Sequence, residues 1–377
     1  MTLSPIEYHK NLRGKIVIRS KEKLDVNNLG IVYTPGVGEV SMAVANDKSL
    51  VRELTGKQNM VAIVTDGSAV LGLGNIGPEA ALPVMEGKAA IFAQFAGVNA
   101  VPICLATQDT EEIIRTVKNI APAFGGINLE DISAPRCFEI ERRLADELDI
   151  PVFHDDQHGT AIVVLAGIIN ALKVVGKKKE NVKVVISGAG AAGIAISELL
   201  AEYGITNYCL CDSKGVINEH REDLNKYKTE ALADSMGSCP IGSCVLALHG
   251  ADILVGVSQP GQFTAEDIKQ MNEKPIVFAL ANPVPEITPE EALTGGAAVI
   301  ATGRSDFPNQ VNNALVFPGL FRGLLDAGVT KVTTEIQLAV AEAIAGLIES
   351  PTANNIIPSI FDENVVPVIV KAVSKHK

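Results

Sequence analysis

The chain reads as an α/β protein of two domains, an N-terminal α/β layer followed by a doubly wound parallel sheet, and three observations predict this. From Met60 to Pro151, short apolar strands alternate with amphipathic stretches of helical length, the order of an open, mainly parallel sheet. The run Gly188-Ala189-Gly190-Ala191-Ala192-Gly193 follows an apolar strand, Val182 to Ile186, and opens an Ala/Ile/Leu helix, Ala191 to Tyr203. With 377 residues, 47% of them apolar and 20% charged, the chain can fill two cores and stay ordered throughout.

Taken in order, Ser4-Pro5-Ile6-Glu7 forms a capping box with proline at the first helical position, starting a short N-terminal helix. Lys15 to Arg19 looks strand-like, and an irregular stretch then runs to Tyr33. The first layer comprises strands at Met60–Thr65, Ala100–Leu105 and Gly126–Ile132 with helices at Glu79–Gly97, Thr110–Ile120 and Cys137–Leu148. A long helix, His158 to Val175, leads into the second domain, whose later strands fall at Ile253–Val257, Ile276–Ala279 and Val299–Ala301. From Thr334 the chain is alanine-rich and helical, with breaks at Pro351 and Pro358, and should pack back onto the first domain. The expected division is therefore 1–157, 158–333 and 334–377.

The surroundings of the Gly188 run give it meaning as a Rossmann-type fingerprint. Its glycines allow a tight turn and close approach of backbone N–H groups to a pyrophosphate, and the helix N-terminus adds partial positive charge. A second strand, Tyr208 to Cys211, ends at Asp212, 19 residues beyond Gly193, where a carboxylate can accept hydrogen bonds from the adenine ribose. Asp212 favours NAD because a carboxylate repels a 2′-phosphate; Lys214 could offset it, so NADP stays open. A similar run, Gly72-Leu73-Gly74-Asn75-Ile76-Gly77, is set off from its strand by Asp66-Gly67-Ser68 and followed at once by Pro78. It reads as a glycine loop near a site, not a second nucleotide cradle.

Composition narrows the partners. A net charge of -12 argues against nucleic acid, since phosphate neutralisation needs a basic face. No apolar run reaches the roughly 18 residues that span a bilayer, and Ala161 to Leu172 is expected to be a buried helix. Met1 to Lys10 lacks a signal-peptide pattern. Six cysteines without a Cys-x-x-Cys pair fit a reducing, cytoplasmic setting, with Cys209 and Cys211 as packing residues of a strand.

Acidic pairs stand at two strand ends, Glu130-Asp131 and Asp155-Asp156, the edge where ligands bind in parallel sheets. Hard carboxylates without a nearby thiolate suit Mg²⁺ or Mn²⁺. The alternatives are a solvated strand end for the first pair and a helix N-cap for Asp156. His154 and His158 are expected to be structural, off a common helical face because a strand-to-helix break lies between them. Lys88 lies within an apolar helix, where it is either a snorkelling edge residue or a base whose pKa burial near a cation would lower. Tyr33, in Tyr33-Thr34-Pro35-Gly36-Val37, is a candidate proton donor or a packing residue. Asn282, before Pro283, and Asn313 are neutral groups suited to orienting a carboxylate or carboxamide, or simply to forming turns.

Together these segments resemble the malic enzymes of the short bacterial type, over nearly the whole chain and in the expected order. The resemblance rests on Tyr33-Thr34-Pro35-Gly36-Val37, Thr65-Asp66-Gly67 with Leu71-Gly72-Leu73-Gly74, Lys88, Glu130-Asp131, His154 to Thr160, the Gly188 cradle, Ala281-Asn282-Pro283 and Gly303-Arg304-Ser305. It implies oxidative decarboxylation of L-malate to pyruvate and CO₂ with a nicotinamide cofactor and a divalent metal. It assigns Tyr33 and Lys88 to the acid and base positions, Glu130, Asp131 and Asp156 to the metal, Asp155 to a place beside both, and Asn282 and Asn313 to substrate and nicotinamide. A homodimer with an exchanged N-terminal arm is also implied. One departure is Ala69, where the larger animal-type enzymes carry an arginine for malate. The competing functions are a metal-dependent oxaloacetate decarboxylase without hydride transfer, a non-catalytic dinucleotide sensor, and an amino-acid or shikimate-type dehydrogenase, which would not need the metal-type carboxylates.

Overall fold

A computed structural model describes residues 4–12 and 14–377. Two sheets organise it. The first contains β1 (Met60–Thr65), β2 (Asn99–Cys104), β3 (Gly126–Leu129) and β4 (Val152–His154), all parallel, in the order β2-β1-β3-β4. The second contains β5 (Val184–Ser187), β6 (Tyr208–Asp212), β7 (Gly215–Val216), β8 (Ile253–Gly256), β9 (Ile276–Ala279) and β10 (Val299–Thr302), in the order β10-β9-β8-β5-β6-β7. Only the β6–β7 pairing is antiparallel. In each sheet the chain leaves its first strand in both directions, so β1/β3 and β5/β8 are the switch points where a crevice opens beyond the strand ends. The two-domain α/β expectation holds.

The strands are short and apolar because both faces are covered; β1, β5, β8 and β9 are buried along almost their whole length. Helix Thr110–Ile120 begins where Asp109 accepts the Glu112 N–H. Helix Pro78–Ala96 ends at Gly97, whose left-handed backbone closes the last turn. The expected capping box also forms, with Ser4 N–H donating to Glu7 and Glu7 N–H to Ser4 Oγ.

The helix expected from His158 starts earlier. A π-helical turn, Asp155–Gly159, follows β4 directly and runs into helix Thr160–Val175. The 21 residues from Asp155 to Val175 have the length and hydropathy to cross a membrane, contrary to the reading of the apolar run alone, but they pack against helices Ala191–Tyr203 and Thr334–Gly346.

Helix Phe317–Ala327, unassigned from sequence, ties the chain back to the first sheet. Phe317 and Phe321 stack on Phe92 with centroids 4.7 and 5.5 Å away, and Phe321 meets Phe153 of β4 edge-on at 6.1 Å. Gly319 and Gly323 let helix Val365–Ser374 approach; a Cβ at either would lie 2.9 Å from Ile369 and 2.8 Å from Val373. Phe361 meets Phe95 of helix Pro78–Ala96 edge-on, while helices Thr334–Gly346 and Val365–Ser374 pack chiefly on helices Thr160–Val175 and Phe317–Ala327.

Two further readings need correction. Lys15 to Arg19 joins no sheet; it is an exposed extended segment. Cys209 is not a free packing thiol, for it forms a disulfide with Cys239, which a later loop carries back over β6. Helices Pro5–Leu12, Leu29–Val32 and Val37–Asn46 bury no residue, and Ile18, Val26, Ile31 and Met42 among others face solvent.

Phe321→Ala should cost about 3–5 kcal/mol, because it removes a fully buried ring shared by three elements. Urea unfolding measures it; a loss below about 1 kcal/mol would show that the aromatic cluster does not hold the domains together.

Candidate active site

Neighbouring parallel strands deliver three acidic segments to one edge. β1 is followed by Asp66, β3 by Glu130-Asp131 and β4 by Asp155-Asp156. Asp131 takes a left-handed backbone (φ 54°), and its N–H donates to Asp156 Oδ2 at 2.8 Å. Asp156 therefore does not cap the helix. One oxygen from each of Glu130, Asp131 and Asp156 lies within 4.8 Å of the others. Asp131 Oδ2 is buried without a partner, as is Asp155 Oδ1. An oxygen-only trio with an unsatisfied buried acceptor fits a hard divalent cation.

Lys88 comes from the buried face of helix Pro78–Ala96, next to Met85, Ala89 and Phe92. It is 6% exposed and is no snorkelling residue. Its Nζ lies 2.5 Å from Asp155 Oδ2 and 2.6 Å from Glu130 Oε2, and 4.3 Å from the Phe317 ring centre. Burial alone would lower its pKa, but Asp155 and Glu130 outweigh burial and raise it above the ordinary ammonium range. The expectation of a lowered lysine is thus reversed: carboxylates, not a cation, are its nearest charges. Burial and then Asp156 push Asp131 up to about 7, and the same two causes carry Glu130 well above its usual value.

Asp66 is held by Arg136 at 3.0 Å and by Ser68. Arg136 also reaches Ser68 Oγ, beside Ala69. Below the trio, Glu141 accepts His154 N–H, Gln157 Nε2 and His158 Nε2 at 2.7, 3.0 and 2.9 Å. The strand-to-helix junction falls between the two histidines, His154 ending β4 and His158 lying in the turn that follows; the His158 ring bonds Glu141, and the His154 ring is fully buried.

The second crevice lies over β5 and β8, a cleft of about 890 Å³ lined by Ser187 to Gly190, Asp212 to Gly215 and Val257 to Gln259 among others. Gly188 has φ 115°, and a Cβ there would lie 2.5 Å from Val257 O. A Cβ at Gly193 would lie 1.7 Å from Gly188 O, whereas nothing approaches within 4 Å at Gly190. Turn, close packing and open approach are the three jobs that a pyrophosphate cradle asks of its glycines. Ala189, Ala191 and Ala192 complete the turn into helix Ala191–Tyr203.

Asp212 is not a free acceptor. Arg221 donates to both its oxygens at 2.8 and 3.0 Å, Lys228 Nζ lies 2.5 Å from Oδ2, and Lys214 N–H donates to Oδ1 at 2.9 Å. Burial would raise Asp212, but the Arg221 and Lys228 hydrogen bonds bring it down to about 2. The Lys214 ammonium pairs with Asp223 instead.

The two domains meet at backbone contact. A Cβ at Gly72 would lie 1.9 Å from Asn282 O, which explains a glycine loop with no nucleotide of its own. On the other side, a Cβ at Gly159 would lie 1.9 Å from Asp155 Oδ1 and 3.3 Å from the Asn313 Cβ. Lys88, Glu130, Asp131, Asp155 and Asp156 thus form one centre, Asn313 borders it, and the backbone of Asn282 meets the glycine loop whose Leu71 N–H donates to Asp131. Tyr33 stands apart, 68% exposed, at the end of the Leu29–Val32 turn.

The malic enzyme N-terminal domain model matches residues 13–145, and the malic enzyme NAD-binding domain model matches residues 157–376. The chain belongs to the malic enzyme family. It is 52% identical to a bifunctional malic/malolactic enzyme of Bacillus subtilis, covering 98% of this chain and 91% of that protein. It is 45% identical to an NADP-dependent malic enzyme of Halomonas elongata, covering 96% and 86%. The crystal structure of an NAD-dependent malic enzyme from Thermotoga maritima superposes with a TM-score of 0.96 at 49% identity, covering 99% of both chains.

Sequence reasoning missed several groups of this malic enzyme centre. Glu141 had a signal, since Cys137, Ile140, Glu141 and Leu144 share helical spacing and place a carboxylate on a buried stripe. Arg221, Lys228 and Phe317 had none, because loops and a distant helix bring them in.

Gly188→Val should lose ADP-ribose binding by at least about 100-fold, since a β-branched side chain fits neither the backbone angle nor the space beside Val257. Calorimetry with ADP-ribose checks this; affinity equal to wild type would remove the cradle assignment.

Proposed function

We propose that this chain oxidises and decarboxylates L-malate to pyruvate and CO₂ while reducing a nicotinamide dinucleotide. The observation that carries the reading is buried Lys88 bridging Asp155 and Glu130, beside a carboxylate trio whose Asp131 accepts the N–H of Leu71, next to the Gly72–Asn282 contact. Glu130, Asp131 and Asp156 are the residues to hold Mg²⁺ or Mn²⁺. Such a cation would acidify a chelated hydroxyl, polarise a neighbouring carbonyl and take up the charge that keeps Lys88 protonated.

With the cation bound, Lys88 would release its proton to solvent and could then take the proton of the 2-hydroxyl, while a bound nicotinamide would supply the hydride acceptor for carbon 2. Asp155 holds the resulting Lys88 ammonium in register. Asn282 and Asn313 orient carboxylate and carboxamide, and the dry aromatic wall of Phe317 excludes water. When CO₂ departs from carbon 4, carbon 3 needs a proton, and Tyr33 is the donor, regaining its own from the Lys88 ammonium.

Tyr33 cannot serve from where its own chain holds it in the open. The apolar N-terminal helices bury nothing on their own chain, and helices of 8, 4 and 10 residues are too short to persist alone in water. Leu71, Leu73, Ile76 and Leu82, around the mouth of the centre, are exposed as well. We infer a homodimer in which each arm covers the other copy and brings Tyr33 to the partner's Lys88.

For the cofactor, an ionised carboxylate offers about four lone-pair positions. Arg221, Lys228 and Lys214 N–H fill those of Asp212. A ribose diol gains little there, and a 2′-phosphate finds cations close by. The basis for a strict NAD preference falls away, and we propose that both dinucleotides are accepted.

The test is absorbance at 340 nm with L-malate, Mn²⁺ and NAD or NADP in parallel, coupled to a pyruvate assay. Metal-dependent reduction with equal pyruvate is expected with both cofactors; decarboxylation of oxaloacetate without any reduction would leave only a decarboxylase. Tyr33→Phe and Lys88→Ala should each be inactive alone. Unfolded and refolded together, half of the dimers pair one variant with the other and one of their two sites is intact, restoring about a quarter of wild-type activity if Tyr33 acts across the interface. No recovery would place Tyr33 and Lys88 of one site on the same chain.

A further inference from the structure

The turn that carries Asp155 and Asp156 is tied from behind to a single side chain. Glu141 Oε1 accepts the His154 N–H, and Oε2 accepts Gln157 Nε2 and His158 Nε2, at 2.7, 3.0 and 2.9 Å. These three donors flank the two acidic residues on either side. Glu141 itself sits among Cys137, Phe138, Ile140 and Leu144 on the buried stripe of helix Arg136–Glu147. An apolar side chain would satisfy packing there more cheaply than a desolvated carboxylate. The donors it serves explain why a carboxylate is present.

The turn needs such an anchor. It is a single π-helical turn with no side-chain cap, wider than an α-turn and bonded less regularly. Its two acidic side chains reach away from Glu141. Asp155 Oδ2 lies 2.5 Å from Lys88, and Asp156 Oδ2 accepts the Asp131 N–H at 2.8 Å. His158 is further braced against the Phe153 ring at 5.8 Å. A shift of the turn by a fraction of a turn's rise would break both contacts together.

We infer that Glu141 is the positioning residue of this centre: its carboxylate fixes the Asp155–Gly159 turn, and so sets where Asp156 meets a divalent cation and where Asp155 meets Lys88. This rests on the reading of Glu130, Asp131 and Asp156 as cation ligands.

The experiment is titration of Mn²⁺ into the full-length protein, followed by the electron paramagnetic resonance signal of free Mn²⁺. ADP-ribose affinity is measured on the same samples, with circular dichroism to establish folding. Glu141→Ala should raise the Mn²⁺ dissociation constant about 10–100-fold and leave ADP-ribose binding within about twofold of wild type, the size expected for an outer-shell partner of a metal ligand. Glu141→Gln keeps one acceptor oxygen and should fall between. Gln157→Met removes one donor at nearly constant volume, and should give a smaller rise that carries the test if Glu141→Ala does not fold. Wild-type Mn²⁺ affinity in the folded Glu141 variants, or in Gln157→Met and Glu141→Gln where the alanine variant fails to fold, overturns the proposal. So does an equal loss of Mn²⁺ and ADP-ribose affinity, which marks general damage. A wild-type protein that takes up no Mn²⁺ overturns the cation reading itself, a failure distinct from Mn²⁺ binding that survives the substitutions.

Discussion

Four carboxylates and one ammonium crowd the end of the first sheet, and the rest of the molecule is arranged to keep them there. Lys88 divides a single positive charge between Asp155 and Glu130, and among the described residues no lysine or arginine pairs with Asp131 or Asp156. Such a cluster is stable only where the backbone is rigid and positive charge is available, because buried like charges repel strongly. Parallel strands at a switch point provide the rigidity: β3 and β4 stop side by side, and their next residues are the acidic ones.

Glycine does the complementary work of letting two domains meet without side chains between them. Gly72 against Asn282 is such a contact, where an added methyl would occupy the space of a backbone oxygen, while Gly159 makes room for the Asp155 side chain within a single turn. The same economy shapes the cradle at Gly188 and Gly193. The second domain is thereby brought into direct contact with the loop that borders the carboxylate centre.

The fold was legible where local signals agree with the global result. Helix Thr110–Ile120 and strands Met60–Thr65 and Ile276–Ala279 fall where their apolar spacing places them, and the Gly188 turn has the strand and helix that its chemistry demands. The failures have physical reasons. The strand-like Lys15 to Arg19 had no partner strand, and β-propensity without pairing does not make a sheet. Asp156 looked like an N-cap, but a π-helical turn moved the helix start and freed its side chain for Asp131. Asp212 was read correctly as a strand end and incorrectly as a free acceptor, since Arg221 arrives from a loop 9 residues on and Lys228 from helix Lys226–Ala233, 16 residues on. Lys88 was picked out by its apolar surroundings, yet the sign of its pKa shift depends on Asp155 and Glu130, which lie far along the chain.

The central claim is that the carboxylate cluster is built for a divalent cation in place of protons. Mn²⁺ affinity measured by calorimetry from pH 5 to 8, in buffers of differing ionisation enthalpy, tests it most directly. Because burial and Asp156 raise Asp131 to about 7 and lift Glu130 as well, the folded apoprotein holds protons that ligation must expel. Affinity should therefore climb as pH rises towards about 7, with proton release, and level off above it. Mn²⁺ affinity that is unchanged between pH 5 and 7, with no protons released, would contradict the account.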